Sequence, residues 1–154
     1  AMTKLNESGM KERLSELVLE ENIPILGVCV GMQMIADGSE EGTLPGLGWI
    51  PGYVRRFDFS GKDNVFVLPH MGWNSLVLNR RSSLLADFEG SNSRFYFLHS
   101  YYFVPEDPAM VYASANYGFE FAAIVGKGNV YGVQCHPEKS HQDGERLLRS
   151  FGGL

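Results

Sequence analysis

Ile23-Pro24-Ile25-Leu26-Gly27-Val28-Cys29-Val30-Gly31-Met32-Gln33 carries an apolar run into a cysteine that has a glycine two residues away on each side. Met32-Gln33-Met34-Ile35-Ala36 then continues as a short helical stretch. This is the nucleophile-elbow layout with Cys in place of Ser: a sharp strand-to-helix turn lifts the side chain over the end of a sheet. Glycine leaves room for so tight a turn, and the helix N-terminus behind it favours a thiolate. The strand, Ile23 to Val28, is apolar on both faces, as a strand of a parallel sheet should be, and Pro24 stands near its start, where proline is tolerated.

A thiolate nucleophile needs a base within hydrogen-bond reach and a third group to hold that base. Cys135-His136-Pro137-Glu138 supplies both at the end of the apolar stretch Val130 to Cys135. His136 and Glu138 are two residues apart, so in extended chain they point the same way. A carboxylate beside an imidazole fixes its tautomer and stabilises the imidazolium formed when the thiol ionises. Cys135 reads as a small buried residue; a redox pair with Cys29 would require the two strand ends to be adjacent. A zinc site from Cys29, Cys135, His136 and His141 matches no common ligand spacing, so no metal and no cofactor is expected.

The 154 residues carry 13 Lys and Arg against 18 Asp and Glu, a formal charge of −5. With no basic run longer than Arg55-Arg56 or Arg80-Arg81, a nucleic-acid surface is not expected. No stretch is apolar enough to span a bilayer and no signal-peptide pattern opens the chain, so free thiols and a cytoplasmic location are expected.

Along the chain, Thr3 to Glu21 reads as a helix with Met10, Leu14, Leu17 and Val18 on one face. The middle is β-rich: Leu47 to Phe59, Val65 to Leu68 and Ser75 to Leu78 on either side of Pro69-His70-Met71-Gly72-Trp73-Asn74, then Arg94 to Val104, Met110 to Ala115, Phe121 to Val125 and Val130 to Cys135. Gly126-Lys127-Gly128-Asn129 suits a hairpin turn. Ser140 to Phe151 closes the chain as a helix, with Ser140 and Asp143 as a capping box and Leu147, Leu148 and Phe151 facing inward. A strand-elbow-helix start, a β-rich middle and a closing helix predict one α/β domain over residues 1–154, built on a mixed sheet.

Gly27-Val28-Cys29-Val30-Gly31-Met32-Gln33 followed by His136-Pro137-Glu138 resembles the class I, triad-type glutamine amidotransferases. Leu68-Pro69-His70-Met71-Gly72-Trp73-Asn74, with Lys139-Ser140 after the triad, is similar to the branch that serves as glutaminase subunits of imidazole glycerol phosphate synthases in histidine biosynthesis. The resemblance covers essentially the whole chain. It implies a flavodoxin-like three-layer α/β domain with a mixed sheet, and hydrolysis of the side-chain amide of L-glutamine through a thioester. Cys29 is then the nucleophile, His136 the base and Glu138 its orienter. Val30 N–H would serve the oxyanion, Gln33 and Glu41 the glutamine headgroup, and Ser100 and Tyr101 would bind it from His99-Ser100-Tyr101. The implied partner is a (β/α)8 cyclase, with Trp73, Tyr96 and Lys139 at the interface. Plain structural readings stand beside these: Gln33 as a helix surface residue, Glu41 as a solvated loop acid, Tyr101 and Tyr96 as core packing.

Members of that family have strands and helices ahead of the elbow. The resemblance therefore implies an N-terminally truncated domain, short of about two βα units or about 50 residues, among them the glycine-rich strand that supplies a second oxyanion N–H. Such a loss would leave the Ile23 to Val28 strand open to pairing with another chain. The alternative expectation is accordingly a catalytically silent amidotransferase-like protein that forms an edge-paired or swapped homodimer.

Overall fold

The computed structural model describes residues 1–62 and 66–154. The N-terminal segment is not one helix. It comprises α1 (Met2–Glu7), α2 (Met10–Ser15) and a wide turn over Glu16–Glu20, broken at Gly9, whose φ of +68° is open to glycine. The break turns Met10 outward, 61% exposed, while Leu14 packs against the core and Val18 is buried.

From there β1 (Ile25–Val28) leads into α3 (Val30–Ile35), followed by β2 (Gly38–Ser39) and β3 (Gly52–Arg56). The motif around His70 is itself a strand, β4 (His70–Ser75), rather than a connection between strands; β5 (Val77–Leu78) follows it. The expected Val65 to Leu68 strand begins outside the described residues, and none is formed over 66–68. A 3₁₀ turn, Ser83–Phe88, precedes β6 (Arg94–His99) and β7 (Tyr101–Pro105), which divide the aromatic run at Ser100. After a short turn at Pro108–Met110 come β8 (Val111–Asn116), β9 (Glu120–Lys127) and β10 (Val130–Val133). The 3₁₀ turn Pro137–Lys139 leads into α4 (His141–Gly152).

The main sheet is mixed. Its path is β1-β10-β9-β7-β3-β2, with β8 joined to β9 and β5 to β8; β4 and β6 form a separate antiparallel pair. β1 lies parallel to β10 and β2 parallel to β3, and the other pairings are antiparallel. β9 and β10 are joined through Gly128 and Asn129, with Gly128 at φ +58°. Asn129 Nδ2 donates to the carbonyls of Val18 and Ile23 at 2.7 and 2.9 Å, tying the end of the helical segment to this hairpin.

Two apolar clusters form the outer contacts of the sheet. One contains Phe57, Phe95, Phe97, Phe121, Tyr131, Val133 and Leu147; the other contains Val18, Met32, Ile35, Ile50, Phe103, Val125 and Val130. Val130 and Tyr131 go to different clusters because successive strand residues face opposite ways. The fold is thus a three-layer α/β arrangement around a mixed sheet. Of the three α4 residues expected to face inward, Leu147 is buried and Phe151 partly so, while Leu148 is 42% exposed, since neighbours in a helix cannot share a face. Among the described residues no helix is long and apolar enough to cross a membrane.

Only one of the two glycines around Cys29 is demanded by space. A Cβ at Gly27 would lie 2.6 Å from the Gly31 backbone and 2.7 Å from Ile35 Cδ1, whereas a Cβ at Gly31 would meet nothing within 4 Å. Gly27→Ala should therefore destabilise the fold by about 1–3 kcal/mol, while Gly31→Ala should be neutral or stabilising by up to about 1 kcal/mol. Urea unfolding of the two variants checks the contrast.

Candidate active site

Cys29 has φ +49° and ψ −106°, a conformation that a residue with a Cβ rarely adopts. Such an outlier persists only where its surroundings over-determine it. Here Cys29 N–H donates to Val133 O at 2.8 Å, extending the β1–β10 ladder by one step, and Cys29 O accepts from Gln33 N–H at 3.2 Å as α3 begins. The strand thus fixes one side of the residue and the helix the other.

The continuation of β10 brings the second motif alongside. His136 Nδ1 and Glu138 Oε1 are 2.7 Å apart, and His136 N–H donates to Tyr96 O at 2.8 Å. His136 Nε2 is buried and has no hydrogen-bond partner among the described residues, so it is available to take a proton. Burial raises the Glu138 carboxyl, but its hydrogen bonds with His136 and the backbone outweigh this and leave it below the usual range.

The Cys29 thiol does not rest on His136. Its S–H faces Leu98 O at 3.9 Å, and its sulfur accepts from Gln134 Nε2 at 3.7 Å. Burial pushes the thiol above its ordinary value; Val30 N–H opposes this, Glu138 and Glu41 add to it, and Lys139 lowers it. Cys135 is fully buried, its thiol raised far by burial, and both cysteines are free.

A cleft of about 480 Å³ beside the elbow is lined by Val30, Gln33 and Glu41, among others. Gln33 is not a surface residue: Nε2 donates to Tyr101 O at 3.3 Å and to Gln134 Oε1 at 3.1 Å. Glu41 is exposed at the rim. Ser100 sits at the bend between β6 and β7, its carbonyl held by Phe57 N–H at 3.1 Å. The Tyr101 ring packs against the second apolar cluster, while its carbonyl faces the site.

The β4–β6 register sets two further groups. Trp73 faces Tyr96, and His70 faces His99. Trp73 is 39% exposed, meets Tyr96 edge-on at 6.0 Å and stacks on His141 at 5.2 Å; Lys139 Nζ lies 5.8 Å over the Tyr96 ring. The three residues expected at an interface thus form one patch. The two histidines are buried: His99 Nδ1 donates to Tyr101 O at 2.7 Å, and His99 Nε2 lies 3.1 Å from His70 Nδ1. Because Tyr101 O can only accept, His99 is protonated at Nδ1, which leaves Nε2 to accept from His70 Nδ1–H. His70 stacks between Phe97 and Tyr117 at 5.1 and 4.1 Å.

No capping box forms. Ser140 Oγ donates to His136 O at 2.6 Å and accepts from Tyr96 N–H at 3.0 Å, while Asp143 accepts from Arg94 N–H and pairs with Arg146 at 3.1 Å. Ser140 therefore braces the histidine segment instead of capping α4.

The model of the glutamine amidotransferase class-I family matches residues 4–152. The chain belongs to the class I glutamine amidotransferases. Among the relatives of this amidotransferase chain, imidazole glycerol phosphate synthase subunit HisH of Bdellovibrio bacteriovorus is 53% identical over 155 residues, spanning 100% of this chain and 75% of its own length. The protein of the same name from Leptospira borgpetersenii is 50% identical over 153 residues, covering 99% and 74%. In fold, the chain is similar to a crystal structure of a glutamine amidotransferase at TM-score 0.66, with 19% identity over 96% of this chain and 71% of that one.

Gln134, the Leu98 carbonyl and the His70–His99 pair join the site without having been expected there from sequence. A signal for Gln134 existed: an amide ends the apolar run Val130 to Val133, two residues before His136 and so on its face.

The electrostatics of this amidotransferase site make two outcomes measurable. Glu138→Gln removes a carboxylate that raises the Cys29 thiol, so the pH midpoint for its alkylation should fall, read with iodoacetamide and peptide mass spectrometry. Burial lowers His70 to about 4 and His99 to about 3. Both rings are neutral when folded and gain protons on unfolding below about pH 6.5. The unfolded chain then binds more protons, so stability should fall from pH 6.5 towards 4 by up to about 1.4 kcal/mol per unit for each histidine. Urea unfolding across that range tests this, and a His70→Gln/His99→Gln variant should show a flatter profile.

Proposed function

We propose that this chain is the glutaminase component of an imidazole glycerol phosphate synthase, hydrolysing L-glutamine and delivering ammonia to a (β/α)8 cyclase subunit for histidine biosynthesis in the cytoplasm. Residues 1–154 act as part of a glutamine amidotransferase type 1 domain. The observation that carries the reading is the strained Cys29 backbone, held against a strand whose continuation presents His136 with Glu138 at 2.7 Å.

The sulfur first exchanges the Leu98 carbonyl for His136 Nε2, which takes the thiol proton. The thiolate attacks the side-chain amide carbon, and the oxyanion accepts from Val30 N–H at the start of α3. Collapse breaks the C–N bond as His136 returns its proton to the leaving nitrogen, releasing ammonia and leaving a thioester. Water, deprotonated by His136, then cleaves the thioester; glutamate departs and the sulfur is reprotonated. Glu138 holds the imidazole in the tautomer with Nε2 free and stabilises the imidazolium formed at each proton transfer. Gln33 spends its N–H groups on Tyr101 and Gln134, so its Oε1 and the Glu41 carboxylate are the groups that receive the substrate headgroup, beside the Ser100–Tyr101 bend. The Trp73, Tyr96 and Lys139 patch receives the cyclase; a half-exposed tryptophan is a typical interface anchor.

Glutamine-dependent ammonia release by the purified chain, with and without a cyclase subunit and its nucleotide ligand, tests the reading. Activity should rise with the cyclase, vanish in Cys29→Ala and fall by about 10²–10⁴ in Glu138→Gln. Equal activity in Cys29→Ala would overturn it.

A further inference from the structure

Gln134 is fully buried, and its side-chain amide lies between the Cys29 sulfur and Gln33. The polarity of this amide is set by a group that has only one role to play. Tyr101 O can only accept, and it faces Gln33 Nε2 at 3.3 Å. That fixes the Gln33 nitrogen on this side, so the Gln134 atom 3.1 Å from it is the carbonyl Oε1. The other end of the Gln134 amide is then the nitrogen, with an N–H on the sulfur at 3.7 Å. The same Tyr101 carbonyl is fixed on its other side by His99 Nδ1–H at 2.7 Å, and His99 in turn by His70.

We propose that Gln134 is a catalytic residue: its amide N–H stays on the Cys29 sulfur through ionisation and stabilises the thiolate, while Gln33 and the Tyr101 carbonyl act as positioning groups that keep the donor turned towards sulfur. No bond to Gln134 forms or breaks. The thiol proton goes to His136 Nε2, and the amide sets the partial positive charge of its N–H against the sulfur in a site where burial opposes the anion. A neutral donor does this without the acid–base behaviour of a cation. The charged groups that also act on the sulfur are Glu138, Glu41 and Lys139, and all are unchanged in the variants below. The assignment rests on Cys29 as the nucleophile proposed above, but alkylation reads the sulfur whether or not glutamine is turned over.

The test is the pH profile of iodoacetamide alkylation of Cys29 in the unliganded chain, with Cys135 as an internal control that stays unmodified while the fold is intact. Gln134→Met keeps the length and removes the donor; Gln134→Glu keeps an oxygen for Gln33 and turns an acceptor to the sulfur. Gln134→Met should slow alkylation at pH 7 about three- to tenfold, and Gln134→Glu should slow it further. Gln33→Glu, which touches no sulfur, should do the same, because Gln134 then turns its nitrogen to the new carboxylate and its oxygen to Cys29. In Gln134→Met kcat should fall with the thiolate fraction and recover as pH rises, which a packing defect would not produce; Gln33→Glu is read by alkylation alone. A folded Gln134→Met or Gln33→Glu protein with a wild-type alkylation profile would overturn the proposal.

Discussion

The parallel pairing of β1 with β10, closed by the 2.8 Å hydrogen bond from Cys29 N–H to Val133 O, is the constraint on which the site depends. Two strands more than 100 residues apart in sequence are brought side by side. Parallel neighbours point their C-terminal ends the same way, so the segments leaving the two strands emerge at the same edge of the sheet. After β1 that segment is the elbow; after β10 it is Gln134, His136 and Glu138. Gln134 and His136 share a face, so one strand end supplies both the donor to the sulfur and the proposed base. The strain at Cys29 is sustained because the ladder holds its N–H and α3 holds its carbonyl.

A second set of contacts joins this edge to the patch assigned to a partner. Tyr96 offers its ring to Trp73 and Lys139, its carbonyl to His136 N–H, and its N–H to Ser140 Oγ, which in turn donates to His136 O. The segment carrying His136 is therefore hydrogen-bonded to the strand that carries the Trp73–Tyr96 patch. The β4–β6 register also places the buried His70–His99 pair under the same two strands. These histidines act as neutral dipoles, since burial keeps them unprotonated at neutral pH. Their role is directional: each passes on the polarity imposed by the Tyr101 carbonyl.

The resting thiol is not poised for attack. Its proton is directed to Leu98 O, and burial with nearby Glu138 and Glu41 disfavours the anion. Val30 N–H and Lys139 favour it, and the Gln134 donor faces the same sulfur. The reactivity of Cys29 is thus a balance between a dry, acidic surrounding and a few well-aimed donors. The Leu98–Tyr101 bend enters this balance twice, through Leu98 O on the thiol and Tyr101 O on Gln33.

The elbow, the adjacency of His136 and Glu138 and the mixed α/β character were legible in the chain because each is written in local order. Glycine spacing, a two-residue offset and an apolar run have the same meaning wherever they fold. Local reading failed where a tertiary partner outbid the local one. Ser140 and Asp143 have the pattern of a capping box, yet Tyr96, His136, Arg94 and Arg146 claim their side chains. Pro69 to Asn74 reads as a connection, yet pairing with Arg94–His99 makes His70–Ser75 a strand. Sequence by itself named the residue types proposed to carry the chemistry and the segments that present them. Only the tertiary structure decided that Gln134 reaches the sulfur, that Leu98 O holds the thiol proton and that His99 faces His70, because hydrogen-bond direction depends on which distant atom lies within about 3 to 4 Å.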